Sequence, residues 1–171
     1  NIGHYSHYVI MPAKIKGVAN IIGNLPRNKV FILDQLPKEL TGFPAVYQNF
    51  KTGIYDGLNT LRKQLRKYKK NILIYDATIQ PIGILKGFEQ FCSENEFDYE
   101  VIPAGRQLNL EASAVYLSLD DNTLIRLIKQ LKIRDLKLGK DIGIIAFNDT
   151  PLKEIIGNGI TSISTDFSEM G

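Results

Sequence analysis

The sequence holds one cysteine, Cys92, two histidines, His4 and His7, and no tryptophan. A single cysteine excludes an internal disulfide framework. With two histidines beside it, no cysteine- or histidine-rich metal site can be assembled, so no metal is expected. Both absences suit a reducing compartment, and the expected location is the cytoplasm. No apolar run reaches the ~18 residues of a membrane-spanning helix. The first residues lack a secretory signal pattern, so no membrane partner is expected. The net charge of +3 is too small to argue for nucleic acid or an anionic surface by itself. Phosphate-cradling motifs of the G-x-x-x-x-G-K-[ST] and G-x-G-x-x-G kinds are missing, and so is a G-x-S-x-G nucleophile elbow. No cofactor is therefore expected. A phosphorylated receiver domain is disfavoured, because Asp76 has no adjacent aspartate and no lysine ends the later apolar runs. The chain opens on Asn1 and closes at Gly171 without a change of character, so it reads as a piece of something longer.

What is present is ordinary globular material: 44% hydrophobic and 23% charged residues, in a length that can bury a real core. Short apolar runs alternate with helical periods. His7–Met11, Lys29–Asp34 and Pro44–Tyr47 read as strands, with a weak helix over residues 13–24. Ile54, Leu58, Leu61, Leu65 and Tyr68 form one stripe of an amphipathic helix, with Asn49 and Thr52 as its candidate caps. Further strands are expected over 71–76, 99–103, 114–119, 141–147 and 160–166. Helices are expected from Pro81, over 121–134 and over 151–156, the last ended by Gly157 and Gly159. Residues 104–113 read as a polar loop. Strands separated by helices indicate βαβ units and a mostly parallel α/β sheet. The basic run Arg62–Lys70 reads as a solvated helix face and C-terminus; a patch for the DNA backbone is the alternative.

In a parallel α/β sheet, ligands bind beyond the carboxyl ends of the strands. The residues just past the apolar runs are carboxylates and amides, and nucleophiles are scarce. Asp34, Asp76, Thr78, Gln80, Asp120 and Asn148 are the candidates. Such groups suit the recognition of hydroxyls, and a polar small molecule such as a sugar fits them better than a phosphate. Each has a plainer reading. Asp76 can serve as a strand-end or capping residue, Asp120 and Asp121 open a helix, and Asn148 and Asp149 precede Pro151 at a strand-to-helix turn. Cys92 reads as a small buried hydrophobe near Phe88 and Phe91, and neither histidine has a nucleophile to serve.

The segment DIGIIAFNDTPLKEIIGNGITSISTDFSEMG, residues 141–171, resembles the end of the effector domains of lactose- and galactose-repressor-like regulators. VFILDQ with PAVYQNFKTG after it, the strand-to-helix segment from Lys70 to Phe91 with its Gly87–Phe88 pair, and the segment from Ala114 to Leu131 extend the likeness over most of the chain. The resemblance implies a periplasmic-binding-protein-like type I fold: two doubly wound parallel-sheet lobes with a ligand cleft, the first lobe incomplete. It places residues 1–68 in a partial first lobe, 69–159 in a second lobe, and 160–171 in a crossover back toward the first. YVIMPA, FPAVYQNF and TPLKEI are also similar to Bacteroidetes regulators that join a gluconate-repressor-type (GntR) winged helix to such a domain.

The resemblance carries Asp34, Asn148, Thr78 and Gln80 over as ligand contacts and finds Asp120 kept. The family's arginine three residues before the glycine–phenylalanine pair is Ile84 here, and its asparagine before the aspartate is Leu119. Losing a guanidinium removes a rigid five-donor fork. The resemblance thus implies an effector-binding, dimerising domain of a transcriptional repressor. It would sense a monosaccharide or a close derivative, catalyse nothing, and touch DNA only through a domain outside this chain. A solute-binding protein for a carbohydrate transporter is the alternative. A small α/β enzyme using Asp76 or Asp120 is a third reading.

Overall fold

Asn71–Tyr75 is apolar at nearly every position rather than at every second one, a pattern that requires burial on both faces of a sheet. In the computed structural model, which describes residues 5–12, 16–156 and 160–165, that segment is a central strand. The chain divides into two compact units, the described residues up to Asn49 and Phe50–Thr165. Expectations for His4, for residues 13–15 and 157–159, and for residues beyond Thr165 fall outside the described residues.

The first unit is a parallel three-stranded sheet of order β1-β2-β3, with β1 at Tyr8–Ile10, β2 at Val30–Asp34 and β3 at Ala45–Tyr47. Helix α1, Val18–Gly23, and a helical turn at Lys38–Leu40 pack on one face. There Ile22, Val30, Ile32, Leu40 and Phe43 form the core. On the other face the side chains alternate outward: Val9 is 70% exposed, Phe31 47% and Val46 49%.

The second unit is a parallel five-stranded sheet of order β5-β4-β6-β7-β8. Its strands are β4 (Lys70–Tyr75), β5 (Tyr99–Pro103), β6 (Ala114–Ser118), β7 (Gly143–Phe147) and β8 (Thr161–Ile163). Helices α2 (Phe50–Thr60), α3 (Arg62–Leu65) and α4 (Ile82–Glu94) cover one face. On that face Leu73, Tyr75, Val115, Leu117 and Ile145 meet Ile54, Leu58, Ile84, Phe88 and Phe91. Helix α5 (Asp121–Ile133) covers the other, where Leu124, Leu127 and Leu131 meet Ile72, Ile74, Tyr116 and Ile144. Helix α6 is Pro151–Ile155. Full burial of each such side chain contributes roughly 1.5–3 kcal/mol, so two covered faces give this unit the larger part of the stability.

Helix α4 meets α2 through small residues. A Cβ on Gly87 would lie 2.3 Å from the Lys51 carbonyl oxygen, and one on Gly83 would lie 3.1 Å from the Lys51 nitrogen. Glycine at both positions lets the two backbones approach.

The division between the compact units falls between Asn49 and Phe50, because α2 packs its stripe on α4 and the second sheet. The strand expected over 160–166 is found as β8 at Thr161–Ile163 beside β7, with Ile145 opposite Thr161 and Phe147 opposite Ile163. The long helix expected to Tyr68 breaks at Leu61, whose backbone leaves the helical region. The Thr60 hydroxyl donates to the Asp56 carbonyl at 3.0 Å just before the break, a back-bond that bends helices. Thr52 lies inside α2 rather than at its cap, and Asn49 is the residue before it.

Candidate functional site

The second sheet reverses its winding between β4 and β6. From β4 the chain runs through α4 to β5 on one side; from β6 it runs through α5 to β7 on the other. Helices on opposite faces leave a crevice at the carboxyl ends of those two strands, the place where open α/β sheets bind ligands. Asp76 comes directly after β4, Asp120 shortly after β6 and Asn148 directly after β7. These strands are consecutive neighbours in the sheet, and neighbours lie about 4.8 Å apart. The fold therefore brings Asp76, Asp120 and Asn148 onto one edge, with Thr78 and Gln80 in the loop after β4. Asp34 ends β2 in the other unit.

The loop after β4 is held by Asp76. Its Oδ1 accepts from the Thr78 backbone N–H at 2.9 Å and from the Thr78 hydroxyl at 2.6 Å, an aspartate-centred turn. Its own N–H donates to Gln80 Oε1 at 2.7 Å. Gln80 is buried, and the Tyr75 hydroxyl donates to its carbonyl at 3.1 Å. Thr78 is exposed, so of the pair it is the one that presents a surface.

Asp120 caps α5. Its Oδ1 accepts from the Thr123 N–H at 2.9 Å and its Oδ2 from the Thr123 hydroxyl at 2.8 Å. The Ser118 hydroxyl holds the Asp120 carbonyl at 3.0 Å. The capping reading of Asp120 is thus realised, and the same bonds fix its carboxylate at the switch point. Ile84 is fully buried in the core and Leu119 packs against the same cluster, so the two positions that depart from the resembled family serve packing.

Asn148 adopts a left-handed backbone, φ 58, and so does Asp34, φ 76. Glu96 and Asp135, also left-handed, lie just past the ends of α4 and α5, where that conformation terminates helices. At a strand end it is a local strain that the surroundings must hold. The Asn148 N–H donates to the Ile163 carbonyl at 2.8 Å, and Lys153 Nζ donates to the Asn148 carbonyl. Lys153 is 3% exposed; Nζ also donates to the Phe147 carbonyl at 2.9 Å and pairs with Asp121 Oδ1 at 3.3 Å. In the other unit, Gln48 Nε2 donates to Asp34 Oδ1 at 2.5 Å and the Gln48 N–H to the Asp34 carbonyl at 3.0 Å. Asn148 Oδ1 and Thr150 Oγ1 are shielded from solvent and have no hydrogen-bond partner.

Sequence reasoning missed Lys153 and Thr150. A lysine on a short helix reads as solvated, and only the three acceptors around it show otherwise. Among the described residues no group of three histidine, cysteine, aspartate or glutamate side chains could hold a metal ion. No helix among them is long and apolar enough to cross a membrane. Cys92 is fully buried, and burial pushes its thiol up to about 12, which leaves it inert as a nucleophile.

No family model matches the sequence. Over 179 aligned positions the chain is 22% identical to the HTH-type transcriptional regulator GalR of Streptococcus thermophilus, covering 88% of this chain and 54% of that protein. A stretch of 55 residues, 32% of this chain, is 34% identical to a putative H/ACA ribonucleoprotein complex subunit 2-like protein of Caenorhabditis briggsae, and covers 34% of it. The crystal structure of a regulatory protein of the LacI family from Chloroflexus aggregans superposes with a TM-score of 0.78 at 16% identity, over 98% of this chain and 66% of that one. A periplasmic binding protein/LacI transcriptional regulator from Alkaliphilus metalliredigens, complexed with D-xylulofuranose, gives 0.71 at 14% identity, over 95% of this chain and 64% of that one. The chain has the periplasmic-binding-protein-like α/β fold of these regulators. It spans about half of the streptococcal regulator and about two thirds of the two solved chains.

Proposed function

We propose that this chain is the effector-sensing part of a bacterial transcriptional regulator and that its effector is a sugar or sugar-like small molecule. The observation that carries this reading is the convergence of Asp76, Asp120 and Asn148 at the carboxyl edge where the second sheet reverses. Carboxylates and an amide accept from hydroxyls, and the amide also donates to them. Both Asp120 oxygens are already anchored by Thr123, which suits a fixed acceptor and not a proton carrier. No reaction is assigned to the site. The sugar-complexed regulator of the same fold supports the choice of ligand class.

The effector acts by its differential affinity for two conformations of the domain, and a DNA-binding domain outside this chain reads the shift. The finer expectations go with this proposal: a homodimer, a winged helix of the GntR kind, a cytoplasmic setting, and Asp34, Thr78 and Gln80 among the contacts.

A thermal-shift panel of monosaccharides tests the reading. An effector at 100 times its dissociation constant adds about 2.7 kcal/mol of stability. The expected result is one clear hit that Asn148→Ala weakens at least tenfold. A panel without a hit, or a hit indifferent to Asn148→Ala, overturns it.

A further inference from the structure

The second unit has another concavity, at the opposite edge of its sheet. A cavity of about 260 Å³ lies where β6, β7 and β8 begin, with Val115, Gly143, Ile144 and Thr161 in its lining. Parallel strands begin at the edge away from their carboxyl ends, so roughly 16 Å, the length of a five-residue strand, separates this cavity from the switch point. Leu61, Leu65, Leu138 and Ile160 extend its apolar wall. Gly143 shapes it. A Cβ there would lie 2.8 Å from Val115 Cγ2 and 3.1 Å from Tyr68 Cζ, so glycine lets the Tyr68 ring lie close against β7.

The polar lining comes from the basic run Arg62–Lys70, through Gln64, Lys67 and Tyr68. Their side chains make no hydrogen bond or ion pair among the described residues. Burial raises the Tyr68 phenol above its ordinary value, so it stays protonated and can donate. Gln64 and Lys67 are exposed, which puts them at the rim, whereas Leu65, Val115 and Ile144 are buried. Among the described residues no carboxylate lines the cavity. Asp141, in the adjoining turn, accepts from the Lys137 N–H at 2.9 Å, and Lys137 and Lys140 flank Leu138 and Gly139. An ammonium and a phenol beside an apolar wall are complementary to an amphipathic anion: both donate to a carboxylate, and the wall takes its tail. An apolar cavity of about 150 Å³ holds benzene. The larger space here suits a ring with a short side chain.

We infer that this cavity is a second ligand site, separate from the crevice, and that it takes a small carboxylate with a ring-sized apolar tail. Titration calorimetry on the protein with hydrocinnamate and its neutral counterpart, hydrocinnamyl alcohol, tests it, together with an amide NMR map of the same titrations. The acid should bind saturably, with shifts centred on Gly143, Ile144 and Thr161 and not on Asp76, Asp120 and Asn148. The alcohol should bind roughly tenfold more weakly, and Lys67→Gln, a change at an exposed residue, should cost the acid about the same factor. Leu138→Trp, which fills the cavity from a half-buried position, should abolish binding of both. The inference is overturned if the acid shows no saturable binding up to about 10 mM, if the shifts centre on the crevice, if the alcohol binds as tightly as the acid, or if either substitution leaves the affinity unchanged. None of these outcomes bears on the sensor reading, which is decided by the sugars and Asn148→Ala.

Discussion

The two units are built from the same strand-and-helix grammar and differ in how much of each sheet is covered. In the second, the central strands are buried on both faces, and their sequences are continuous apolar runs. In the first, three strands bury one face on α1 and leave Val9, Phe31 and Val46 outward. Parallel sheets occur almost only with both faces covered. The contrast teaches that strand pattern reports local pairing, whereas stability depends on what lies above and below the sheet.

The largest effect that would test this contrast is a pair of phenylalanine substitutions. Phe88→Ala, in the doubly covered unit, should destabilise the protein by about 3–5 kcal/mol in urea unfolding. Phe31→Ser, on the outward face, should change stability by no more than ~0.5 kcal/mol. Equal losses would mean that the outer face of the first unit is covered after all. A smaller effect is expected at the junction of α2 and α4. Gly87→Ala would set a Cβ against the Lys51 carbonyl oxygen, and we expect a loss of roughly 1–3 kcal/mol, read as a lower thermal midpoint. Gly105→Ala, where nothing lies within 4 Å of the new Cβ, should be nearly neutral.

The smallest expected effect is electrostatic. The Lys70 ammonium, 2.7 Å from Glu100, holds the Glu100 carboxyl below its ordinary value. A carboxyl depressed in the folded state contributes stability that is complete above its unfolded value, near 4.5, and lost as the pH falls through the folded value. The acid limb of a stability-against-pH curve should therefore flatten slightly in Glu100→Gln, and the slope should stay unchanged above about pH 6. A flattening that persists at high salt would point to some other carboxylate.

Much of the fold is legible in the sequence because burial leaves a signature. Tyr99–Pro103 is delimited to the residue and 71–76 to within one, since each run is bounded by polar or turn-forming residues. Helix α5 is legible from its aspartate cap and its leucine spacing. The sheet that α2 covers is not, because its stripe states that one face is buried and not what buries it. Residues 104–113 read as a polar loop, yet Leu108 and Leu110 are buried in it. Arg126 and Arg134, both on the α5 side, clamp carbonyls on either side of Leu108, and no local period announces a tertiary clamp. At the candidate site the residue types and strand ends are legible; the inward turn of Gln80 and the burial of Lys153 depend on packing that no spacing encodes.

The left-handed backbone at Asp34 and at Asn148 sets a rule for how such a protein could diversify. Glycine, asparagine and aspartate bear that conformation at small cost, and bulky or β-branched residues do not. Each position thus favours a short alphabet: one acid, one amide, or no side chain at all. Under the proposed function, a lineage that changes its ligand can toggle charge at Asn148 at little backbone cost, whereas a ring or a β-branched side chain there would add strain. New shape selectivity would then arise at neighbours with ordinary backbones and exposed side chains, Thr78 foremost, and that is where a directed-evolution library should place its randomised codons.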